Sequence, residues 1–311
     1  MAVNTGAFVF PGQGSQKVGM LAGAHGAFSE VGETFAEASE ALGYDMWDLV
    51  QHGEQDALNL TETTQPVLLT ASVALWRAWL AQHGERPAVM AGHSLGEFSA
   101  LVCAGSLDFA DAVRLVRQRG QFMQSAVPVG EGAMAAIIGL DDDTINDICD
   151  STDGVVAAVN FNSPGQVVIA GHTAAVDAAI TALKGAGAKR ALPLPVSAPF
   201  HTTLMKAAGE RLSEAIADID IKAPAIPVIH NVHAQTEAAP ERIRELLVEQ
   251  IYSPVRWTQC VQTMAIRGAR QVVECGPGRV LSGLNRRIDK SLSSFSLEDP
   301  DGLATALTEL S

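Results

Sequence analysis

The sequence predicts an α/β protein: a larger hydrolase-like domain on a mainly parallel sheet, with a small ferredoxin-like βαββαβ domain inserted into it. Three observations carry this. Short apolar runs alternate with helical patterns in the first and last thirds of the chain, as expected for parallel strands covered on both faces. The middle of the chain abandons that alternation and orders its elements β-α-β-β-α-β. One apolar run leads into Gly92-His93-Ser94-Leu95-Gly96, a strand-to-helix turn typical of hydrolase-like sheets. The expected division is 1–126 with 200–311 for the larger domain and 127–199 for the insert.

Taken in order, Ala7-Phe8-Val9-Phe10 reads as the first strand and runs into Pro11-Gly12-Gln13-Gly14-Ser15-Gln16. Helical patterns follow over 28–42 and 65–80, then a buried strand over 87–91. Beyond the turn, Leu95, Phe98, Leu101 and Val102 recur at helical spacing. Residues 108–123 read as a helix with Asp108 as its cap and Asp111 three residues on. In the insert, 133–138 is a strand and 143–149 a short helix. Strands at 155–160 and 166–170 are parted by Asn162-Ser163-Pro164-Gly165. Thr173 is expected to cap a helix with Val176, Ile180 and Leu183 on one face. Residues 189–194 make the fourth strand. Back in the larger domain, Pro227-Val228-Ile229 and Gln271-Val272-Val273-Glu274 read as strands. The second ends in Gly276-Pro277-Gly278, ahead of a helix. Inserted domains commonly form one wall of a cleft.

Composition narrows the function. With 311 residues, 47% of them hydrophobic, the chain can bury a large core. A formal net charge of −14 argues against nucleic acid and anionic membranes as partners, because both need a basic face. No run approaches the ~20 apolar residues of a membrane span. Met1-Ala2-Val3-Asn4-Thr5 lacks the positive start and apolar core of a secretion signal. Cys103, Cys149, Cys260 and Cys275 are scattered, without a C-x-x-C pair. They read as small core residues in a reducing compartment, so a cytoplasmic location is expected. No metal site and no bound cofactor are expected, and the chain is taken as a monomer.

The G-x-S-x-G turn makes Ser94 the candidate nucleophile. The glycines allow a tight turn, the turn exposes the hydroxyl, and the following helix aims its first amides at any anion formed there. A serine nucleophile needs a general base, usually histidine. His93 is adjacent, but neighbouring residues leaving a strand point opposite ways. His25, His52 and His83 precede the serine, whereas hydrolase-like order puts the histidine last. His172 sits beside a helix cap. Of His201, His230 and His233, His201 is favoured: Pro195-Val196-Ser197-Ala198-Pro199-Phe200-His201 leaves the insert with little freedom and must run along the cleft.

Arg119 stands out on the helix over 108–123. At ~100° per residue it falls some 200° from Arg117 and joins Ala112, Leu115, Val116, Phe122 and Met123 on the apolar face. A buried guanidinium needs an anion, and its planar fork suits a carboxylate. Two readings stand: an internal ion pair with an Asp or Glu, or a substrate carboxylate.

Phe10-Pro11-Gly12-Gln13-Gly14-Ser15-Gln16, Gly92-His93-Ser94-Leu95-Gly96-Glu97, Arg119-Gly120-Gln121-Phe122-Met123, Asn160-Phe161-Asn162-Ser163-Pro164-Gly165-Gln166 and Gly276-Pro277-Gly278 together carry a resemblance. The chain resembles, nearly end to end, the malonyl-CoA:acyl carrier protein transacylases of fatty acid synthesis. That resemblance implies malonyl-CoA and acyl carrier protein as partners, with Ser94 as nucleophile and His201 as base. It implies the amides of Gln13 and Leu95 as oxyanion hole, and Arg119 as partner of the malonyl carboxylate. The backbone carbonyl of Gln250 would orient His201 in place of an acid, with Asn162 and Asn231 as supporting groups. Phe200 stands where phenylalanine goes with malonyl preference in polyketide relatives. A trans-acting acyltransferase of polyketide synthesis would share this chemistry; a serine thioesterase would share the turn but leave Arg119 without a purpose. Acyl carrier proteins are acidic, as is this chain, so docking calls for a local basic patch. Lys189-Arg190 and Arg286-Arg287, with Lys290 a turn beyond, are the candidates. Arg286 and Arg287 are favoured because they follow a turn expected on the rim that holds Ser94.

Overall fold

The computed structural model describes residues 5–196 and 198–310. Met1–Asn4, four of the five residues read for a secretion signal, lie outside the described residues, as does Ser197 in the segment leading to His201.

Five strands form a parallel sheet: β1 (Gly6–Phe10), β2 (Val89–Gly92), β7 (Val228–Ile229), β8 (Gln271–Glu274) and β9 (Ser293–Ser296), in the spatial order β7-β2-β1-β8-β9. Alternation along β1 shows why both faces are covered. Phe8 and Phe10 point into one core, where Trp76 and Trp79 of the helix Thr61–Ala81 meet Phe8 edge-on at 5.4 and 5.3 Å. Ala7 and Val9 point into a second core with Trp257, Val261 and Leu281 from the helices Trp257–Ile266 and Val280–Ile288. β1, β2 and β7 are buried throughout, so they read as unbroken apolar runs. The edge strand β9, Ser-Ser-Phe-Ser and only partly buried, carries no such signal and is not among the strands expected from the sequence.

The remaining strands, β3 (Gly132–Ile138), β4 (Val156–Ser163), β5 (Gln166–His172) and β6 (Arg190–Pro193), make an antiparallel sheet in the order β4-β5-β3-β6, the ferredoxin-like arrangement. One face packs Ala135, Ile137, Val167 and Ile169 under the helices Asp142–Ser151 and Thr173–Gly185. The opposite face sends Met134, Val159, Val168 and Ala170 into the core shared with the larger sheet. The insert therefore presents a wall to the rest of the molecule.

Two local expectations are corrected. β4 runs on to Ser163, because register shifts after Ala158 and Phe161 keep it paired with β5, so only Pro164 and Gly165 remain for the turn. Thr173 is the first residue of its helix, after His172 as cap, and its hydroxyl donates to the carbonyl of Gly130. Asp108 does cap its helix, accepting from the amide of Asp111. All four cysteines are free and buried. No helix among the described residues is long and apolar enough to cross a membrane.

The end of β4 is tied to the larger part. The amide of Phe161 donates to the carbonyl of Val255, and the amide of Val255 to the carbonyl of Val159. The Thr258 hydroxyl donates to the carbonyl of Phe161. Asn160 and Asn162 are thereby held over the carboxyl end of β2.

Candidate active site

The turn after β2 is as tight as two glycines allow. A Cβ on Gly92 would lie 1.8 Å from the Gly96 carbonyl carbon, and one on Gly96 would lie 2.0 Å from the Phe10 oxygen. Any side chain at either position would push the helix Leu95–Cys103 off the strands. Ser94 itself sits at φ 51°, ψ −109°, a strained conformation costing ~1–3 kcal/mol. Two hydrogen bonds, one from the loop after β7 and one from the end of the helix Pro240–Gln250, hold it there: its amide donates to Asn231 Oδ1 at 2.8 Å, and its carbonyl accepts from Gln250 Nε2 at 3.0 Å.

His201 also has a left-handed backbone, φ 63°. Its Nε2 lies 2.8 Å from Ser94 Oγ, and its Nδ1 lies 2.9 Å from the carbonyl oxygen of Gln250. A carbonyl only accepts, so Nδ1 carries the proton and the bare Nε2 accepts from the hydroxyl. Burial, reinforced by the nearby Arg119 charge, lowers the pKa of His201 to about 3, keeping the ring neutral and Nε2 unprotonated across the physiological range.

Arg119 is 1% exposed and pairs with no carboxylate among the described residues. Nη1 donates to Gln65 Oε1 at 2.9 Å and Nη2 to Gln250 Oε1 at 2.8 Å, while Nη2 also reaches Ser94 Oγ at 3.2 Å. Its Nε is buried without a partner. Burial lowers its pKa to about 10, against the pull of Glu97, so it stays protonated at neutral pH. The internal ion pair, one of two readings of the sequence, is absent; two neutral amides hold the guanidinium instead.

These groups border a cavity of about 120 Å³. Gln13, Ser94, Arg119 and His201 line its polar side, and Met123, Met134, Val196 and Phe200 its apolar side. No protein acceptor among the described residues takes the amide of Gln13 or of Leu95. Gln250 and Asn231 are fully buried behind the cavity and hold groups that line it. Asn231 Nδ2 also donates to the carbonyl of Gly92 at 2.7 Å. Asn162 bonds His93, Oδ1 to Nε2 at 2.8 Å, and makes no hydrogen bond to Ser94. His93 lines the cavity too, but its ring packs against Trp257 and its Nε2 bonds Asn162, and the contact to the serine hydroxyl is made by His201.

The other candidate histidines are placed elsewhere. His230 is buried against Glu97, Nδ1 to Oε1 at 2.7 Å, and His233 Nδ1 accepts from the amide of Gln235. Arg286 and Arg287 lie on the same helix but border different grooves, because successive helical residues point about 100° apart. Arg286 faces a groove of about 590 Å³ with Arg279 and Asp299, which contains no residue of the site. Arg287 donates to Gln166 Oε1 and shares a cleft of about 460 Å³ with Lys189 and the Ser163–Gly165 turn.

The sequence reading assigned no role to Gln65, Asn160 or Glu97. Asn160 lines the cavity with a buried Oδ1 that lacks a partner. Glu97 had a signal, the one charged residue in the otherwise uncharged, mostly apolar helix Leu95–Cys103. Gln65 had none.

Fold and cleft define the class: an α/β protein whose serine–histidine pair, beside an arginine, is set up for acyl transfer. The comparisons with known proteins agree. Residues 7–294 match the acyl transferase domain model. The malonyl CoA-acyl carrier protein transacylase of Escherichia coli (strain K12) is 59% identical over 303 residues, 97% of this chain and 98% of that protein. The crystal structure of an acyl carrier protein S-malonyltransferase from Vibrio cholerae superposes with a TM-score of 0.95 at 55% identity, covering 97% of this chain and 99% of the other. A malonyl-transacylase solved in complex with a type II polyketide synthase acyl-carrier protein gives a TM-score of 0.96 at 54% identity, covering 98% and 99%. The chain belongs to the malonyl CoA-acyl carrier protein transacylase family.

Proposed function

We propose that this protein transfers a malonyl group from malonyl-CoA to the phosphopantetheine thiol of acyl carrier protein, through a malonyl ester on Ser94. The observation that carries this reading is the charge of Arg119: it lies beside the reacting hydroxyl with only amides to hold it. An acyl group with its own carboxylate completes that pairing; malonyl has one and acetyl does not.

In this mechanism His201 Nε2 takes the hydroxyl proton as Ser94 Oγ attacks the thioester carbonyl. The amides of Gln13 and Leu95 hold the tetrahedral oxyanion, and such donors are worth ~3–4 kcal/mol each in comparable sites. The coenzyme A thiolate leaves with the proton from His201. The carrier thiol then attacks the ester and the steps run in reverse. Bonds and protons balance between Ser94, His201 and the two thiols, so the exchange itself calls for no metal or bound cofactor. The deciding measurement is intact mass with peptide mapping after brief exposure to malonyl-CoA. A malonyl adduct on Ser94 is expected; an unmodified protein, or an adduct at another residue, overturns the reading.

Replacing Arg119 by alanine is expected to cost malonyl transfer ten- to several hundred-fold, roughly the loss of one or two charge-assisted bonds. Acetyl transfer should hold or rise. Steady-state kinetics with both donors checks this, and an equal fall for the two makes Arg119 a structural group instead.

For the carrier, the structure favours the cleft of Arg287 and Lys189. Ser163 in its wall is next to Asn162, which bonds His93. Reversing both charges to glutamate is expected to raise the Michaelis constant for carrier protein, most at low salt, because rim charges act mainly on association. With pantetheine as acceptor it should barely move. An equal effect on both acceptors removes the docking role.

We take 127–199 as the inserted domain, since the whole antiparallel sheet falls within 132–193. We place the enzyme in the cytoplasm as a monomer; four reduced, buried cysteines suit a reducing compartment. A polyketide carrier is a second acceptor class, favoured by the complex formed by the 54% identical relative. Rates with the two carrier classes side by side decide between them.

A further inference from the structure

Glu97 is 0% exposed, three residues after Ser94 on the helix Leu95–Cys103, and it touches neither the cavity nor His201. Its Oε2 accepts from the amide of Asn231 at 2.8 Å and from Gln250 Nε2 at 2.9 Å. Its Oε1 faces His230 Nδ1. The Gln250 Nε2 is thus surrounded by three acceptors: this carboxylate, the Ser94 carbonyl and, more distantly at 3.4 Å, Asn231 Oδ1. If the amide were reversed, its oxygen would face those acceptors and its NH₂ would face the Arg119 guanidinium, donor against donor. Only one sense is satisfied, and it aims Gln250 Oε1 at Arg119. The same carboxylate anchors Asn231, whose Oδ1 holds the strained Ser94 amide.

We propose that Glu97 is a positioning residue. Its carboxylate fixes the sense of the Gln250 amide and the seat of Asn231, and through them the aim of Arg119 and the set of Ser94. What matters is an acceptor at that reach; its charge does not. The Arg119 branch rests on the reading of Arg119 as the acyl carboxylate's partner; the Ser94 branch does not.

Two variants separate reach from charge. Glu97→Gln keeps an oxygen facing Gln250 and Asn231, and its NH₂ can donate to His230 Nδ1 if the proton of that ring moves to Nε2. Glu97→Asp keeps the charge but retreats by one methylene, about 1.5 Å. The readouts are the malonyl-to-acetyl ratio of kcat/KM, per site titrated with a fluorophosphonate, and the rate of that labelling itself. A role in folding alone changes the number of titrated sites and leaves both readouts unmoved. The expected result is a loss of at least about five-fold in one or both readouts for Glu97→Asp, with Glu97→Gln within about two-fold of the parent in both. Any other outcome overturns the proposal. Arg119→Ala is run alongside. If it leaves the ratio unchanged, the reading of Arg119 fails on its own account, and the labelling rate still judges Glu97.

Discussion

Replacing Ser94 by alanine is expected to reduce malonyl transfer by a factor on the order of 10⁶, the scale seen when a covalent nucleophile is removed. The substitution deletes one oxygen and leaves its surroundings in place. Asn231 and Gln250 still hold the backbone at position 94, because both bond to main-chain atoms. Arg119 keeps its two amide acceptors and loses only the 3.2 Å contact to the hydroxyl. Malonyl-CoA should therefore still bind while the ester cannot form. Transfer rates and malonyl-CoA affinity of the purified variant check both halves. More than a few per cent of the parent rate would show that another group carries the acyl chain.

His201→Ala should be nearly as damaging, since a nucleophile and its base fail as a unit. His93→Ala should cost far less, because His93 turns to Asn162 and Trp257. Equal losses in the two variants, with circular dichroism unchanged, would refute the choice of base. The environment of His201 adds a pH expectation. Its pKa, lowered to about 3 chiefly by burial, means the base needs no deprotonation in the ordinary range. The acid limb of kcat/KM should lie well below 6.5, the ordinary histidine value. For stability the sign is fixed by proton uptake. Between about 3 and 6.5 the unfolded chain binds a proton that the folded site refuses, so this residue's contribution falls as the solution is acidified through that window. Rates and thermal midpoints measured down to mild acid test both statements. A rate limb at 6.5 would mean that the site is wetter than its geometry implies.

Several features of this protein were legible because they depend on near neighbours in the chain. The turn at Ser94 is set by Gly92 and Gly96 within four residues. Four of the five parallel strands and the four of the insert follow from periodicity; the edge strand Ser293–Ser296, polar and half-exposed, does not. Arg119 was placed on the buried face of its helix by angle alone, and Asp108 capped that helix from its own loop.

What the angle left open, the tertiary structure closed. That Arg119 meets two amides and no internal carboxylate among the described residues depended on Gln65 and Gln250, 54 and 131 residues away. The histidine that meets Ser94 comes from 107 residues on, and the carbonyl that sets its tautomer from 49 residues beyond that. Glu97 stood out as a carboxylate on a buried helix, but its partners, His230 with Asn231 and Gln250, come from two distant segments that only the fold brings to it. Arg286 and Arg287 read as a pair, yet the rotation of about 100° per helical residue turns them to separate grooves. Sequence alone determined the fold class, the nucleophile turn and the burial of the arginine, because local sterics and hydrophobic period act over a few residues. The partners of those groups were decided only by packing, because a buried polar atom is satisfied by whatever the fold brings within 3 Å, however distant in the chain.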